Sequence, residues 1–328
     1  MNRRGARFLR VSGLVLVIAV SGTASVYFAR QEHDDLGIAA ITASEGTVTG
    51  HGGYRYERLT DPPRTVVATG GGAVVATLTD GARTVVLTGP ARTFRDPKNT
   101  NATVTTTAWV RLTPQPWSAG AEHAGWFGPW LAGAVSSTAP DVLAVAMQYL
   151  DGAPPVLVNN LRIAGDASFG PGADFDRYLG IAWRFPDGAR DKAQPDRTGA
   201  LDSAGFVRVV YGYREGYPLL GKDNPGAGLP RGAAAMAQTG PGTVILPDTG
   251  GRATDYSRLQ PGDLLFFALG PKAMIRVGIY VGIDSDGHRR VLSSRPSADG
   301  PTFGDSGGGS FIDGDGTYAQ AFRAAKRL

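Results

Sequence analysis

The stretch LDSAGFVRVVYGY, residues 201–213, places two polar side chains with possible chemistry at the start of a predicted helix. Asp202 and Ser203 occupy its N-cap and first-turn positions. Apolar residues follow at the spacing of one buried helical face: Phe206, Val207, Val210 and Tyr211. Backbone N–H groups and the helix dipole at such a terminus lower the pKa of a nucleophile such as cysteine. Position 203 has this environment but carries a hydroxyl, and the same pattern taken alone also fits a simple helix cap.

A second stretch supplies the elements that would position a site. Residues 259–283, LQPGDLLFFALGPKAMIRVGIYVGI, predict a Pro-Gly-Asp turn, a strand, a short loop and a second strand. Together the two stretches resemble the NlpC/p60 family, the papain-like cysteine peptidases of bacterial cell walls. The family's motifs run D-C-S-G-(F/L)-V and then L-x-P-G-D-L-(V/L)-F-F followed by H-V-G-I-Y-(I/V)-G.

Three further segments extend the resemblance over roughly the C-terminal three-fifths of the chain. They are LPRGAAAMAQ at 229–238, DVLAVAMQYL at 141–150 and YLGIAW at 178–183. The resemblance implies an α+β fold in which helices pack on an antiparallel sheet, with an NlpC/p60-like domain at 136–328. It also implies that Asp202, Tyr178 and Arg231 bind substrate.

The chain departs from the family at the catalytic positions. Ser203 stands where the family has its nucleophilic cysteine, and Arg276 stands where it has the general-base histidine. A thiol beside an imidazole forms a thiolate near neutral pH, whereas a serine hydroxyl depends on a base. Arginine has no lone pair to accept that proton. The pair Ser203 and Arg276 therefore cannot run the two proton transfers of amide hydrolysis.

The predicted turn at 284–287 pairs the strand 275–283 with 288–295. This pairing puts His288 opposite Val281 or Gly282, too far from Ser203 to act as its base. It also puts Ser293 or Ser294 across from Arg276, where the family usually has the polar residue that orients the histidine. Ser293 is accordingly assigned as the third polar position.

The first 29 residues predict a signal peptide or a signal anchor. Four arginines precede an apolar run at 11–29, and small residues at 22–24 favour cleavage over anchoring, with a new N-terminus near Ser25. The formal net charge is +4 and falls to zero without the leader arginines, so a nucleic-acid partner is not implied. The chain has no cysteine, hence no disulfide and no thiol nucleophile.

Residues 30–60 are polar and Gly-rich and predict a spacer, and 61–135 predict a smaller β-rich domain. RTVVATG at 64–70 recurs as RTVVLTG at 83–89, which favours an antiparallel meander. This domain could bind the wall or serve as a scaffold for the second domain, and the scaffold is favoured because no ligand site is resolved. The aromatic residues Trp109, Trp117, Trp126 and Trp130 fit a sugar-stacking groove or, preferred here, buried packing at a domain seam.

The sequence therefore predicts an exported protein located outside the cell, in the wall or on the outer face of the cytoplasmic membrane. The favoured function is that of a catalytically degenerate peptidase homologue that binds wall peptides or regulates an active hydrolase. The alternative is an active peptidoglycan endopeptidase that uses Ser203. Expected partners are a peptidoglycan stem peptide or a cell-wall or division protein, and no cofactor or metal is expected.

Overall fold

The computed structural model describes residues 47–49, 53–195, 198–269, 276–306 and 308–328. The predicted leader and residues 30–46 of the predicted spacer lie outside the described residues. The described chain is mostly sheet with a few short helices, which confirms the α+β class.

The first region is a six-stranded antiparallel meander in which every strand pairs with its neighbour in sequence. The strands are β1 Thr47–Thr49, β2 Arg55–Thr60, β3 Pro63–Ala68, β4 Val74–Thr79, β5 Thr84–Arg95 and β6 Thr103–Leu112. The two copies of the RTVV repeat lie in β3 and β5, on either side of β4. The predicted meander is confirmed.

The sheet begins earlier than the predicted boundary at residue 61. Arg55–Thr60, part of the predicted spacer, forms β2 along the whole of β3. Only Tyr56 and Leu59 are buried in β2. A strand with two buried side chains gives little apolar alternation, which is why the spacer prediction is wrong here.

Helix α1, Phe127–Ser136, packs on the first sheet and encloses the aromatic cluster. Trp117 is 1% exposed, and its ring lies 4.8 Å from that of Phe127. Trp126 and Trp130 pack against Phe127 in turn. The cluster belongs to the core between this sheet and α1, so most of these aromatic residues are packed within the first region.

The second region contains five more short helices around a second sheet. The helices are α2 Val142–Met147, α3 Phe175–Leu179, α4 Ser203–Val207, α5 Ala233–Gln238 and α6 Thr317–Ala321. Helix α4 continues as a π-helix over Arg208–Arg214. The small strands that precede α4 are β7 Val156–Val158, β8 Leu161–Ala164, β9 Ser168–Phe169, β10 Trp183–Arg184, β11 Arg190–Asp191 and β12 Ala200–Leu201.

The second sheet has six strands in the order β13-β18-β14-β15-β16-β17. They are β13 Thr243–Leu246, β14 Leu264–Phe267, β15 Arg276–Ile283, β16 Arg289–Arg295, β17 Gly300–Thr302 and β18 Phe322–Arg327. One face of this sheet packs on α4. The same buried cluster includes Val104 and Val110 of β6, so the two regions share a core.

Asp141 fixes α2 against the first sheet. Its carboxylate caps the helix by accepting the Ala144 N–H at 3.0 Å. It also accepts two hydrogen bonds from Arg92, at 2.7 and 2.6 Å, and one from the Val110 N–H at 2.6 Å. Asp141 is fully buried. One carboxylate therefore joins the end of α2 to both β5 and β6.

A second buried carboxylate belongs to the Pro-Gly-Asp turn. Asp263 accepts hydrogen bonds from Nε and a terminal nitrogen of Arg327 at 2.7 and 2.8 Å. Arg327 also donates to the hydroxyl of Thr79 on β4 at 2.6 Å. Because Arg327 is on β18 and Asp263 precedes β14, this ion pair links the second sheet to the first.

No helix among the described residues is long and apolar enough to cross a membrane.

Candidate functional site

Ser203 is the first residue of α4, and the structure confirms the predicted cap. Asp202 is extended at the N-cap and accepts the Gly205 N–H at 2.6 Å. Gly205 lets the helix approach the chain before α3, because a Cβ there would lie 2.2 Å from the Ala173 carbonyl oxygen. The turn is thus held from both sides, and Ser203 is left 3% exposed. A nucleophile this deeply buried has little room to meet a substrate carbonyl.

The hydroxyl of Ser203 faces the start of β15. The Val277 N–H lies 3.5 Å from Ser203 Oγ and donates to it. Val277 packs in the cluster that also contains Phe206 and Val207 of α4. The polar partner that the structure gives Ser203 is therefore a backbone donor, which cannot remove its proton.

Arg276, next to Val277, is half-buried and lies near aromatic residues. Its guanidinium carbon lies 5.6 Å from the centroid of the Phe169 ring, a cation–π contact. Burial raises the pKa of the Tyr318 hydroxyl, and the positive charges of Arg295 and Arg276 oppose that rise. Arg276 thus presents a positive charge beside two aromatic rings at the start of β15.

Ser293 does not face Arg276. Ile279 pairs with Leu292, and a Cβ on Gly278 would lie 3.0 Å from the Ser293 Cβ, so Ser293 is beside Gly278. Its hydroxyl donates to the Val277 carbonyl at 2.7 Å. The predicted pairing is wrong because the turn closes between Asp284 and His288, and the irregularity between Tyr280 and Gly282 reverses only part of that offset.

The turn also sets the position of His288. The Asp284 N–H donates to the His288 carbonyl at 2.9 Å, so His288 closes the turn and does not lie opposite Val281 or Gly282. Its ring stacks on Phe311 at 4.7 Å and lies 3.4 Å from Asp313. The other described histidine, His123, lies beside Glu122 at 3.8 Å. Both described histidines are engaged away from Ser203.

Two of the predicted substrate residues come together next to Ser203. Arg231 and Asp202 form an ion pair at 2.8 Å. Arg231 also lies 3.4 Å from Asp174, which pairs with Arg208 at 2.9 Å. The residues are therefore near the site, but their charges satisfy one another.

Tyr178, the third predicted substrate residue, is buried and makes contacts within the protein. It is 2% exposed, and its hydroxyl donates to the Gly165 carbonyl at 2.8 Å. Its ring meets that of Tyr149 edge to face at 5.3 Å. The hydroxyl of Tyr178 thus holds α3 against the loop after β8.

The sequence analysis did not predict the buried ion pair at the end of α4. Arg208 is fully buried and, besides Asp174, donates to the carbonyls of Leu220 at 2.8 Å, Leu229 at 2.7 Å and Pro230 at 3.1 Å. Its position inside the apolar run 206–211 was the available signal. A charged side chain is rarely buried without a partner of opposite charge, and Asp174 is that partner for Arg208.

Asp176 is a buried carboxylate of α3 whose acidity is altered by folding. Burial raises its pKa from 3.8 to about 6, and the charges of Asp174 and Asp191 add to the rise. A carboxylate whose pKa is raised by folding binds its proton more tightly in the folded state. The free energy of unfolding should therefore fall as the pH rises from about 4 to about 6.

We expect Asp176→Asn to remove this pH dependence. At pH 7.5 the variant should be more stable than the wild type by about 1–2 kcal/mol, a value reduced for partial solvation, and at pH 4 the two should match. Urea unfolding at both pH values measures this. The exposed Asp315→Asn should follow the wild type, and a variant of Asp176 less stable at pH 7.5 would contradict the assignment.

Within the described residues, no group of three His, Cys, Asp or Glu side chains is placed to hold a metal ion. What the site can do is hydrogen-bond and attract anions. The half-buried guanidinium of Arg276 is the group suited to both, since the Ser203 hydroxyl and the Val277 N–H are buried and hydrogen-bond to each other.

No protein-family model matches the chain, and no curated protein matches it.

Proposed function

We propose that the chain is a catalytically degenerate, NlpC/p60-like protein, exported to the cell wall, that binds wall peptides without cleaving them. The observation that carries the proposal is the environment of Ser203. Its oxygen accepts a backbone N–H at 3.5 Å, the residue is 3% exposed, and the residue at the family's histidine position is Arg276. The resemblance of motifs supports the family assignment, and the local geometry supports the loss of hydrolysis.

The charge of Arg276 supports binding of an anionic group. A guanidinium is positively charged and can hold a carboxylate with two parallel hydrogen bonds. Stacking on Phe169 restricts the side chain before a ligand arrives, which lowers the entropy cost of binding. Stem peptides of the wall end in carboxylates, so they are the proposed ligands.

Loss of hydrolysis is tested by release of new amines from purified peptidoglycan. We expect the wild type and Ser203→Ala to release none above the level without protein, since neither has a base for the nucleophile. Release by the wild type that Ser203→Ala abolishes would establish the alternative, an active endopeptidase.

Binding is tested with soluble wall fragments by calorimetry. We expect Arg276→Ala to weaken binding by about 1.5–3 kcal/mol, the range for a hydrogen bond to a charged group. Arg55→Ala, an exposed arginine on β2, is the matched control and should leave the affinity unchanged. Equal affinity of wild type and Arg276→Ala would remove this residue from the site.

Regulation of an active hydrolase is tested by adding a peptidoglycan hydrolase and intact peptidoglycan to the same binding measurements. A protein that binds a partner hydrolase but neither intact peptidoglycan nor its stem peptides would act through protein contacts.

A further inference from the structure

A cavity of about 260 Å³ lies in the first region, between the β5–β6 pair and the end of α1. Leu87 and Trp109 form part of its wall, and Val135, which is 45% exposed, lies at its rim. The cavity is therefore separate from Ser203. Trp109 packs against the same core as the other three tryptophans of the cluster and is the one of the four that also lines this cavity.

The indole of Trp109 is fixed in place by its neighbours. Its N–H donates to the Pro90 carbonyl at 3.1 Å. The guanidinium of Arg92 lies 4.0 Å from the ring centroid and is itself held by Asp141. A Cβ on Gly89 would lie 2.5 Å from the ring, so the backbone at this position is in close contact with it. Such a wall is preorganised, and binding to it costs little side-chain entropy.

The remaining lining combines apolar groups, such as Pro90 and Ala134, with uncharged hydroxyls. Four hydroxyl-bearing residues line the cavity: Thr88 from β5, and Ser136, Ser137 and Thr138 from the end of α1 and the chain after it. None of the lining residues carries a charge. The cavity therefore offers hydrogen bonds but no ion pair.

The end of α1 favours ligand groups that donate hydrogen bonds over groups that accept them. The last carbonyls of a helix lack partners within the helix and carry a partial negative charge. The Ala132 and Gly133 carbonyls accept the Ser136 hydroxyl at 2.9 and 3.3 Å, which keeps that oxygen available as an acceptor. An anion is disfavoured at this end, whereas a ligand that donates hydrogen bonds from several hydroxyls or amides is favoured.

From these features we infer that the cavity binds one pyranose ring of a neutral sugar, with an apolar face of the ring against Trp109. A pyranose combines C–H groups that pack on an aromatic surface with a rim of hydroxyl donors. The indole, the uncharged hydroxyls and the helix carbonyls match those two properties. The inference is independent of the function proposed for Ser203 and Arg276.

The test follows the indole N–H signal of Trp109 by two-dimensional NMR in the full chain, with the signal assigned from Trp109→Phe. N-acetylglucosamine and its β-1,4-linked tetramer are added up to about 50 mM, above the millimolar affinity expected of a single small ligand. We expect a saturable shift of this signal with both, and a much smaller one with glucuronic acid. If only the tetramer shifts the signal, a glycan strand is the source of the ring, whereas a shift with the monosaccharide alone identifies a free sugar.

Ala134→Leu and Ala132→Leu are the matched pair of variants on α1. Ala134 lines the cavity, whereas Ala132 is exposed on the same helix and does not. We expect Ala134→Leu to weaken sugar binding at least about tenfold by occupying the cavity, and Ala132→Leu to bind as the wild type does.

Thr88→Gln, at an exposed position of β5, narrows the cavity from the opposite side and should also weaken sugar binding. It tests the inference independently in case Ala134→Leu disturbs the fold. Absence of a sugar-dependent shift in the wild type would overturn the inference. Unchanged binding in both Ala134→Leu and Thr88→Gln would do the same, because the sugar would then lie elsewhere.

Discussion

Asp263→Ala should destabilise the protein by about 3–5 kcal/mol. The substitution leaves Arg327, which is 1% exposed, without the carboxylate that holds two of its nitrogens. A buried charge that loses its partner costs far more than the pair contributes when intact. The effect should appear in urea unfolding as a lower midpoint.

The control for this prediction is an ion pair of the same kind on the surface. Asp61 and Arg258 lie 2.8 Å apart, with side chains 65% and 39% exposed. Asp61→Ala should cost less than about 1 kcal/mol because both charges remain solvated. Similar losses for the two aspartates would contradict the structural role of Asp263.

Asp141→Ala should be comparably destabilising, by about 3–5 kcal/mol. It removes the cap of α2, leaves Arg92 without its carboxylate and leaves the buried Val110 N–H without an acceptor. Because Arg92 also lies against Trp109, the indole N–H signal of Trp109 should shift in this variant. Urea unfolding and that signal together measure the effect.

Asp151→Ala is the corresponding control. Asp151 pairs with Lys98 at 2.6 Å, but the two side chains are 44% and 55% exposed. Its loss should cost less than about 1 kcal/mol and leave the Trp109 signal in place. An Asp141→Ala variant as stable as Asp151→Ala would show that the buried contacts of Asp141 are replaced by water.

The sequence was sufficient to predict the elements whose signals are local. The cap at Asp202 depends on a side chain and an N–H three residues apart, and the meander depends on short β-branched repeats joined by turns. Both are confirmed because neighbouring residues decide them.

The parts that could not be predicted depend on distant partners. Arg208 is buried because Asp174, which is 34 residues away, accepts from it. The position of Ser293 depends on where the turn closes, at Asp284 and His288, and on one irregularity between Tyr280 and Gly282. Charged side chains are mostly exposed in folded proteins, so a sequence alone predicts that arginines lie on the surface. The structure instead buries four of them: Arg208, Arg290, Arg295 and Arg327.

The position of β18 has a consequence for the order in which the protein can fold as it is synthesised. Residues 322–327 form the strand between β13 and β14, and Arg327 on it contacts both Asp263 and Thr79. Until these residues have left the ribosome, β13 and β14 lack their shared partner, and the edge of each exposes unpaired N–H and carbonyl groups. The meander, whose strands pair in sequence order, can form while translation continues. The second sheet can be completed only when synthesis has passed residue 327, so a nascent chain stalled before that point would be the form most exposed to aggregation and proteolysis.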